Sequence, residues 1–253
     1  MYLARTLGTA CLCALISVNT VWAEDQHAAP HWGYDGAGAP VYWGDLDESF
    51  KTCTTGNVQS PVDIRPNSEQ ANLSPLTLNY KTTGMHILNN GHTVQLNYDK
   101  GSTMQVGNDV YDLVQLHFHT PSENLIDGKR FPMEMHLVHK RGDGTLGVLG
   151  VMIQEGRANT TATRIWDNMP MQQQAETTIP GSDFNVLDLI PGDLHYYGFM
   201  GSLTTPPCTE GVHWHVLQTP ITFSAEQIEQ FRKAFAMNAR PPQHLNGRPV
   251  ATD

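Results

Sequence analysis

The sequence predicts a mainly β protein in which one domain is built on a large sheet. Three observations carry that expectation. Short runs with every second residue apolar recur along the chain. Turn-forming Gly, Pro, Asn and Asp punctuate the gaps, with 22 Gly and 16 Pro among 253 residues. Helix-start chemistry is found at only two places. A chain of this length can hold one large domain or two small ones. No internal repeat, low-complexity tract or linker divides residues 30 to 250, so a single core is the economical solution.

In chain order, Met1 to Ala23 stands apart. It has a single charge at Arg5, an apolar run from Leu7 to Val18 and a closing Val21-Trp22-Ala23, the pattern of a secretory signal peptide cleaved after Ala23. The run is too short to span a bilayer comfortably, which disfavours an anchor helix, and no membrane span is expected after cleavage. The mature domain then covers residues 24–253. Losing Arg5 makes the formal net charge of −10 one unit more negative, which argues against nucleic acid or anionic lipid as a partner. Cys11 and Cys13 leave with the signal. Cys53 and Cys208 remain, and in an oxidising compartment a disulfide is the default, two buried free thiols being the alternative.

Six alternating runs read as strands: Thr93 to Tyr98, Thr103 to Val106, Leu113 to Phe118, Glu134 to His139, Leu146 to Gln154 and Val212 to Thr219. Ser224-Ala-Glu-Gln227 is a capping box that opens a helix to about Ala236, and Thr161 to Asn168 carries a second.

The run QLHFH at 115 to 119 places Gln115, His117 and His119 on one face of a strand and Leu116 and Phe118 on the other. Glu134, His136 and Val138 share a face of a second strand. An antiparallel pairing about Asp127-Gly128 would set His136 opposite or near His119, although Pro121 and Pro132 argue against a regular hairpin. Three neutral imidazoles with no cysteine to close the site describe a catalytic zinc centre with one open position. Gln115 and Glu134, each two residues before a ligand, are placed to hold the far ring nitrogens. A second pair, His213 and His215, has the same spacing but no comparable company.

Beyond these residues the chain resembles the α-class carbonic anhydrases from about His31 to Arg248. The motifs fall in that family's order: His31-Trp-Gly-Tyr34, Gln59-Ser-Pro-Val-Asp-Ile64, Asn89-Asn-Gly-His92, the 115 to 119 run, Pro121-Ser-Glu-Asn124, Glu134-Met-His-Leu-Val-His139 and Ser202-Leu-Thr-Thr-Pro-Pro-Cys208. The resemblance implies a mainly β (α+β) fold: a central twisted, mostly antiparallel sheet of about ten strands with short peripheral helices. It also implies cis peptide bonds before Pro61 and Pro207, and it makes Cys53 and Cys208 look like the disulfide of secreted members.

By the same resemblance the activity is reversible hydration of CO2 to bicarbonate and a proton. Zn2+ on His117, His119 and His136 would carry the attacking hydroxide. Thr204 would accept its proton in a hydrogen bond and donate to Glu123. Val138, Val148, Leu203, Val212 and Trp214 would wall an apolar pocket for CO2, with Thr204 and Thr205 beside it. His92 would shuttle the proton out along water ordered by Tyr34, Asn90 and Gln95. A monomer or homodimer in the periplasm of a Gram-negative bacterium is the expected setting. Two other classes were open to the residues alone: a different zinc hydrolase, for which no HExxH helix exists, and a non-catalytic binding module on the same fold.

Overall fold

The computed structural model describes residues 31–65 and 73–252; the expected signal peptide lies outside the described residues. In chain order the strands are β1 (Asp63–Ile64), β2 (Leu76–Asn79), β3 (Thr83–Asn89), β4 (Val94–Asn97), β5 (Thr103–Val106), β6 (Asp109–His119), β7 (Leu125–Ile126), β8 (Met133–Lys140), β9 (Leu146–Glu155), β10 (Gln174–Phe184), β11 (Tyr196–Ser202), β12 (Glu210–Leu217), β13 (Ile221–Phe223) and β14 (Ala251–Thr252). The α-helices are α1 (Trp43–Leu46), α2 (Thr52–Thr55), α3 (Thr160–Trp166) and α4 (Ala225–Ala234). Twelve strands form one sheet whose spine runs β10-β3-β4-β6-β8-β9-β12-β11-β14, two more than the ten or so expected, while β1 and β7 form a separate parallel pair. Within the large sheet, β9 runs parallel to β12 and β13, and the other neighbours are antiparallel. Among the described residues no helix is long and apolar enough to cross a membrane.

The alternation in β6 sorts its side chains as the sequence requires. Leu116 and Phe118 enter the larger apolar core, where the Phe118 ring meets Trp166 of α3 edge-on at 4.8 Å and Phe231 of α4 at 6.2 Å. α4 begins at the predicted capping box, with Ser224 Oγ accepting from Gln227 N and Gln227 Oε1 accepting from Ser224 N. Gln227 also donates to Asn159 O and Thr163 Oγ1, which fixes α3 against α4.

Val148, Val212, Trp214 and Val216 belong to a smaller core that also contains Val62, Ile64 and Phe131. One close approach there demands glycine: a Cβ at Gly201 would lie 2.1 Å from Ser60 Oγ and 2.8 Å from Trp214 Cδ1. The peptide bonds before Pro61 and Pro207 are cis as the resemblance implied, and a third cis bond precedes Pro121. Cys53 and Cys208 are joined in a disulfide.

Candidate metal centre

β6 and β8 build the centre between them. His117 pairs directly with His136, Gln115 with Val138 and His119 with Glu134. The pairing about Asp127-Gly128 considered from the sequence is therefore displaced by two residues. The turn itself forms at Asp127-Gly128, where Ile126 and Lys129 exchange backbone hydrogen bonds, but the preceding Leu125–Ile126 pairs with Asp63–Ile64 rather than extending β6, so that turn does not set the register of β6 against β8. A two-residue displacement preserves the facing of every side chain, which is why the three histidines still converge.

One nitrogen from each of His117, His119 and His136 lies within 4.8 Å of the other two, the one such cluster of His, Cys, Asp or Glu among the described residues. Each ring has an acceptor on its outer side, hydrogen-bonded for His117 and His119 and at ion-pair distance without a hydrogen bond for His136. His117 Nδ1 is 2.8 Å from Gln115 Oε1, His119 Nδ1 is 2.7 Å from the Asn238 carbonyl, and His136 Nε2 is 3.0 Å from Glu134 Oε1. Hydrogen bonds to those acceptors hold the His117 and His119 ring protons on the outside, and the nearby Glu134 carboxylate favours the same placement on His136, so each ring leaves a lone pair facing inward. The inward atoms are thus Nε2 of His117 and His119 and Nδ1 of His136. Burial and mutual repulsion push His117 and His136 well below the usual histidine range, and burial lowers His119 as well. His119 Nε2, facing inward, and His136 Nε2, facing Glu134, are buried without a hydrogen-bond partner. Three converging lone pairs that reject protons form a receptor for a metal cation, and an all-imidazole set of three suits zinc with one coordination position open.

Two buried carboxylates flank the rings. Glu134 Oε2 accepts from the backbone N–H groups of Glu123 and Asn124, and Oε1 accepts from Asn124 Nδ2. Room for it beneath His136 comes from Gly150, where a Cβ would stand 3.1 Å from Glu134 Oε1. Glu123 Oε2 lies 3.5 Å from His119 Nε2 and 3.9 Å from His136 Nδ1, and Glu123 Oε1 accepts from the Arg240 backbone N–H at 2.8 Å. Burial pushes Glu123 up to about 8, opposed by the neighbouring Thr204 hydroxyl and by the hydrogen bond from Arg240 N–H; Glu134 is raised by burial too. A cation on the three nitrogens would draw both back toward ionisation.

The remaining predicted residues assemble around the rings. A cavity of about 120 Å3 is lined by Tyr34, Asn90, His92, Gln95, Gln115, His117, His119 and Thr205, together with Trp32 and Thr93. The His92 ring stacks on Trp32 at 3.6 Å and 8°, and it also lines a second cavity of about 350 Å3 shared with His31. Trp214 meets His136 edge-on at 4.9 Å, with Val148 and Val212 buried beside it and Val138 and Leu203 packed against the same cluster. Thr204 is buried, and Cys208 N donates to Thr205 O, so the disulfide end braces that loop.

His213 and His215 flank Trp214 in β12 and so face away from the centre, toward Tyr111 and Tyr196. Sequence reasoning missed Asn124, Asn238 and Arg240. Arg240 is fully buried; its guanidinium donates to Gln59 Oε1, Ser60 O and Cys53 O and stacks over Trp43 at 5.6 Å. Asn238 and Arg240 follow α4 in irregular chain, where no periodicity marks them. Asn124 ends the Pro121-Ser-Glu-Asn124 motif, but nothing in its residue type names its partner.

Comparison with known proteins agrees with this geometry. The sequence model of the eukaryotic-type carbonic anhydrases matches residues 39–253. A carbonic anhydrase of Pectobacterium atrosepticum is 48% identical over 220 residues, covering 86% of this chain and 89% of its own length. A hyperthermostable carbonic anhydrase from an active hydrothermal vent chimney superposes with a TM-score of 0.84 at 42% identity, covering 88% of this chain and 99% of that one. The α-carbonic anhydrase of Thermovibrio ammonificans, solved with the inhibitor sulfanilamide, gives a TM-score of 0.84 at 38% identity, covering 88% and 100%. With the fold, the histidine centre and these relatives in agreement, the chain belongs to the eukaryotic-type, or α-class, carbonic anhydrase family and is a carbonic anhydrase.

Proposed function

We propose that the chain hydrates carbon dioxide reversibly at a zinc ion held by His117, His119 and His136, and that the released proton leaves through His92. The observation that carries this reading is the convergence of three ring nitrogens within 4.8 Å, each ring oriented from behind by its own acceptor. When bound there, zinc supplies the Lewis acidity that makes water a nucleophile near neutral pH, a general property of carbonic anhydrases.

The chain's own residues do the rest. The Thr204 hydroxyl lies close enough to Glu123 to lower its pKa, and an ionised carboxylate can only accept, so the Thr204 proton would point to Glu123. The hydroxyl's lone pairs are then free to accept from the attacking oxygen and orient it. Val138, Val148, Leu203, Val212 and Trp214 offer CO2 an apolar wall, and Thr205 lines the neighbouring cavity. Gln115 and Glu134 keep the ligand rings in place.

His92 borders both the inner cavity and the wider outer one, so its ring can take a proton on one side and release it on the other. Burial and the nearby His31 lower its pKa below 6.5, which leaves it neutral and ready to accept at pH 7. Tyr34, Asn90 and Gln95 line the same cavity and order the water between. The disulfide and the signal-like N-terminus suit a secreted, periplasmic enzyme, monomeric or dimeric. Stopped-flow CO2 hydration on the mature chain, with zinc counted per chain before and after chelation, tests the reading. Activity should track zinc at one per chain, and activity that survives full demetallation would exclude the site.

A further inference from the structure

We propose that the Asn238 side chain is a positioning residue for proton transfer: it locks the turn that carries His92 to the strand that carries the metal ligands. The inference rests on the assignment of His92 as the proton acceptor. Asn238 is 2% exposed and lies in irregular chain beyond α4. Its Nδ2 donates both to His92 O at 3.0 Å and to Phe118 O at 2.9 Å, and its Oδ1 accepts from Thr120 N at 2.7 Å. One donor and two acceptors around the amide leave a single orientation that satisfies all three.

Phe118 lies between the ligands His117 and His119, and its carbonyl also accepts from Thr93 Oγ1 at 2.6 Å. The acceptor's backbone and the ligand strand are therefore tied at one buried node. Within its turn His92 is otherwise held by Asn90, whose Oδ1 accepts from His92 N and Thr93 N. That contact shapes the turn, and the Thr93 hydroxyl ties the residue after His92 to β6 through both Phe118 O and Phe118 N. The Asn238 amide adds the bond that ties His92 itself to that strand, through the His92 carbonyl, and without it the ring stacked on Trp32 would be held less firmly at the opening between the two cavities. Proton transfer through a short water path falls steeply when the acceptor is misplaced by about an ångström.

The backbone chemistry makes the test selective. His119 is held by the Asn238 carbonyl, which every substitution keeps. Asn238→Asp preserves shape and the Thr120 contact but turns a carboxylate oxygen toward two carbonyls; Asn238→Ala removes the contacts without adding charge. Both variants, His92→Ala and the double variant His92→Ala/Asn238→Asp are compared as zinc-loaded enzymes in weak buffer.

The expected result for each Asn238 variant is one zinc per chain, kcat/KM for CO2 within about twofold of the parent, and kcat lower by about five- to tenfold. Imidazole added as a proton acceptor should restore kcat. Amide exchange at residues 90–93 should quicken at least tenfold with β8 unchanged, and the double variant should be no slower than His92→Ala. Equal losses in kcat and kcat/KM, loss of zinc, or additive losses in the double variant would overturn the proposal. So would parental exchange at residues 90–93, a measurement that needs no activity. If His92→Ala itself keeps full kcat in weak buffer, the shuttle reading fails; if His92→Ala is slow while the Asn238 variants run at the parental rate, only the positioning role fails.

Discussion

Acidification should destabilise this fold through two histidines that take no part in the metal centre. His139 is fully buried, with Nε2 2.8 Å from Tyr80 Oη and Nδ1 unpartnered; burial pushes it down to about 3 from an ordinary 6.5, and His215 adds to the effect. His215 is pushed down to about 4, again by burial first and by His213 second; Tyr111 and Tyr196 are the other titratable groups facing it. Both groups are neutral in the folded state below pH 6.5, where the unfolded chain binds a proton at each. Stability is thus whole above pH 6.5 and is lost as pH falls toward 4, at about 1.4 kcal/mol per pH unit for each histidine. Between pH 6.5 and 5 the pair costs about 4 kcal/mol, a large share of a total of about 5–15 kcal/mol. Urea unfolding of zinc-saturated protein at half-unit steps measures the slope. Replacing His139 and His215 by Gln should lower that slope by about 1.4 kcal/mol per pH unit for each residue changed, whatever the variants' absolute stability. Asp193, held down to about 2, responds below this window. An unchanged slope in the double variant would refute the assignment.

Gln115→Ala frees the His117 ring and should weaken zinc binding by about 10- to 100-fold in a chelator competition. Val148→Phe projects bulk into the apolar cluster beside Trp214, and CO2 hydration should slow at least tenfold while zinc stays at one per chain. Replacing both Cys53 and Cys208 by Ser should cost about 2–5 kcal/mol in urea unfolding, since the bond spans 155 residues and ends beside the Thr205 turn.

The metal face was legible because strand alternation is strict. QLHFH sends its histidines one way and Leu116 and Phe118 the other under any register, so the ligand set survived a two-residue error in pairing. β10 was illegible for the opposite reason. Gln174–Phe184 is mostly exposed, contains Pro180 and Gly181, and slips register between Ile179 and Phe184; such an edge strand has no buried face to impose a pattern. β11 was hidden by Gly198 and Gly201, placed for close approach rather than for alternation. Arg240 was hidden because its partners, Cys53, Gln59 and Ser60, lie about 180 residues away and three of its contacts are to backbone or amide oxygen.

The same contrast explains how the site is divided. Ligand positions are carried by β6 and β8, where sheet hydrogen bonds fix Cα positions; Gln115 and Glu134 back two of the rings and the Asn238 carbonyl the third. The residues proposed to handle the proton and to orient the attacking oxygen lie in loops: Asn90 to Thr93, Glu123 to Asn124 and Leu203 to Cys208. Loops left alone would be too mobile for a site that needs sub-ångström placement. Here Asn238 and Arg240, two residues apart, reach the first two loops directly, through the His92 carbonyl and the Glu123 carboxylate. Arg240 also grips the Cys53 carbonyl, and Cys53 is bonded to Cys208 at the end of that third loop. A short segment with no secondary structure thereby gives the mobile parts the fixed frame that the sheet gives the metal ligands.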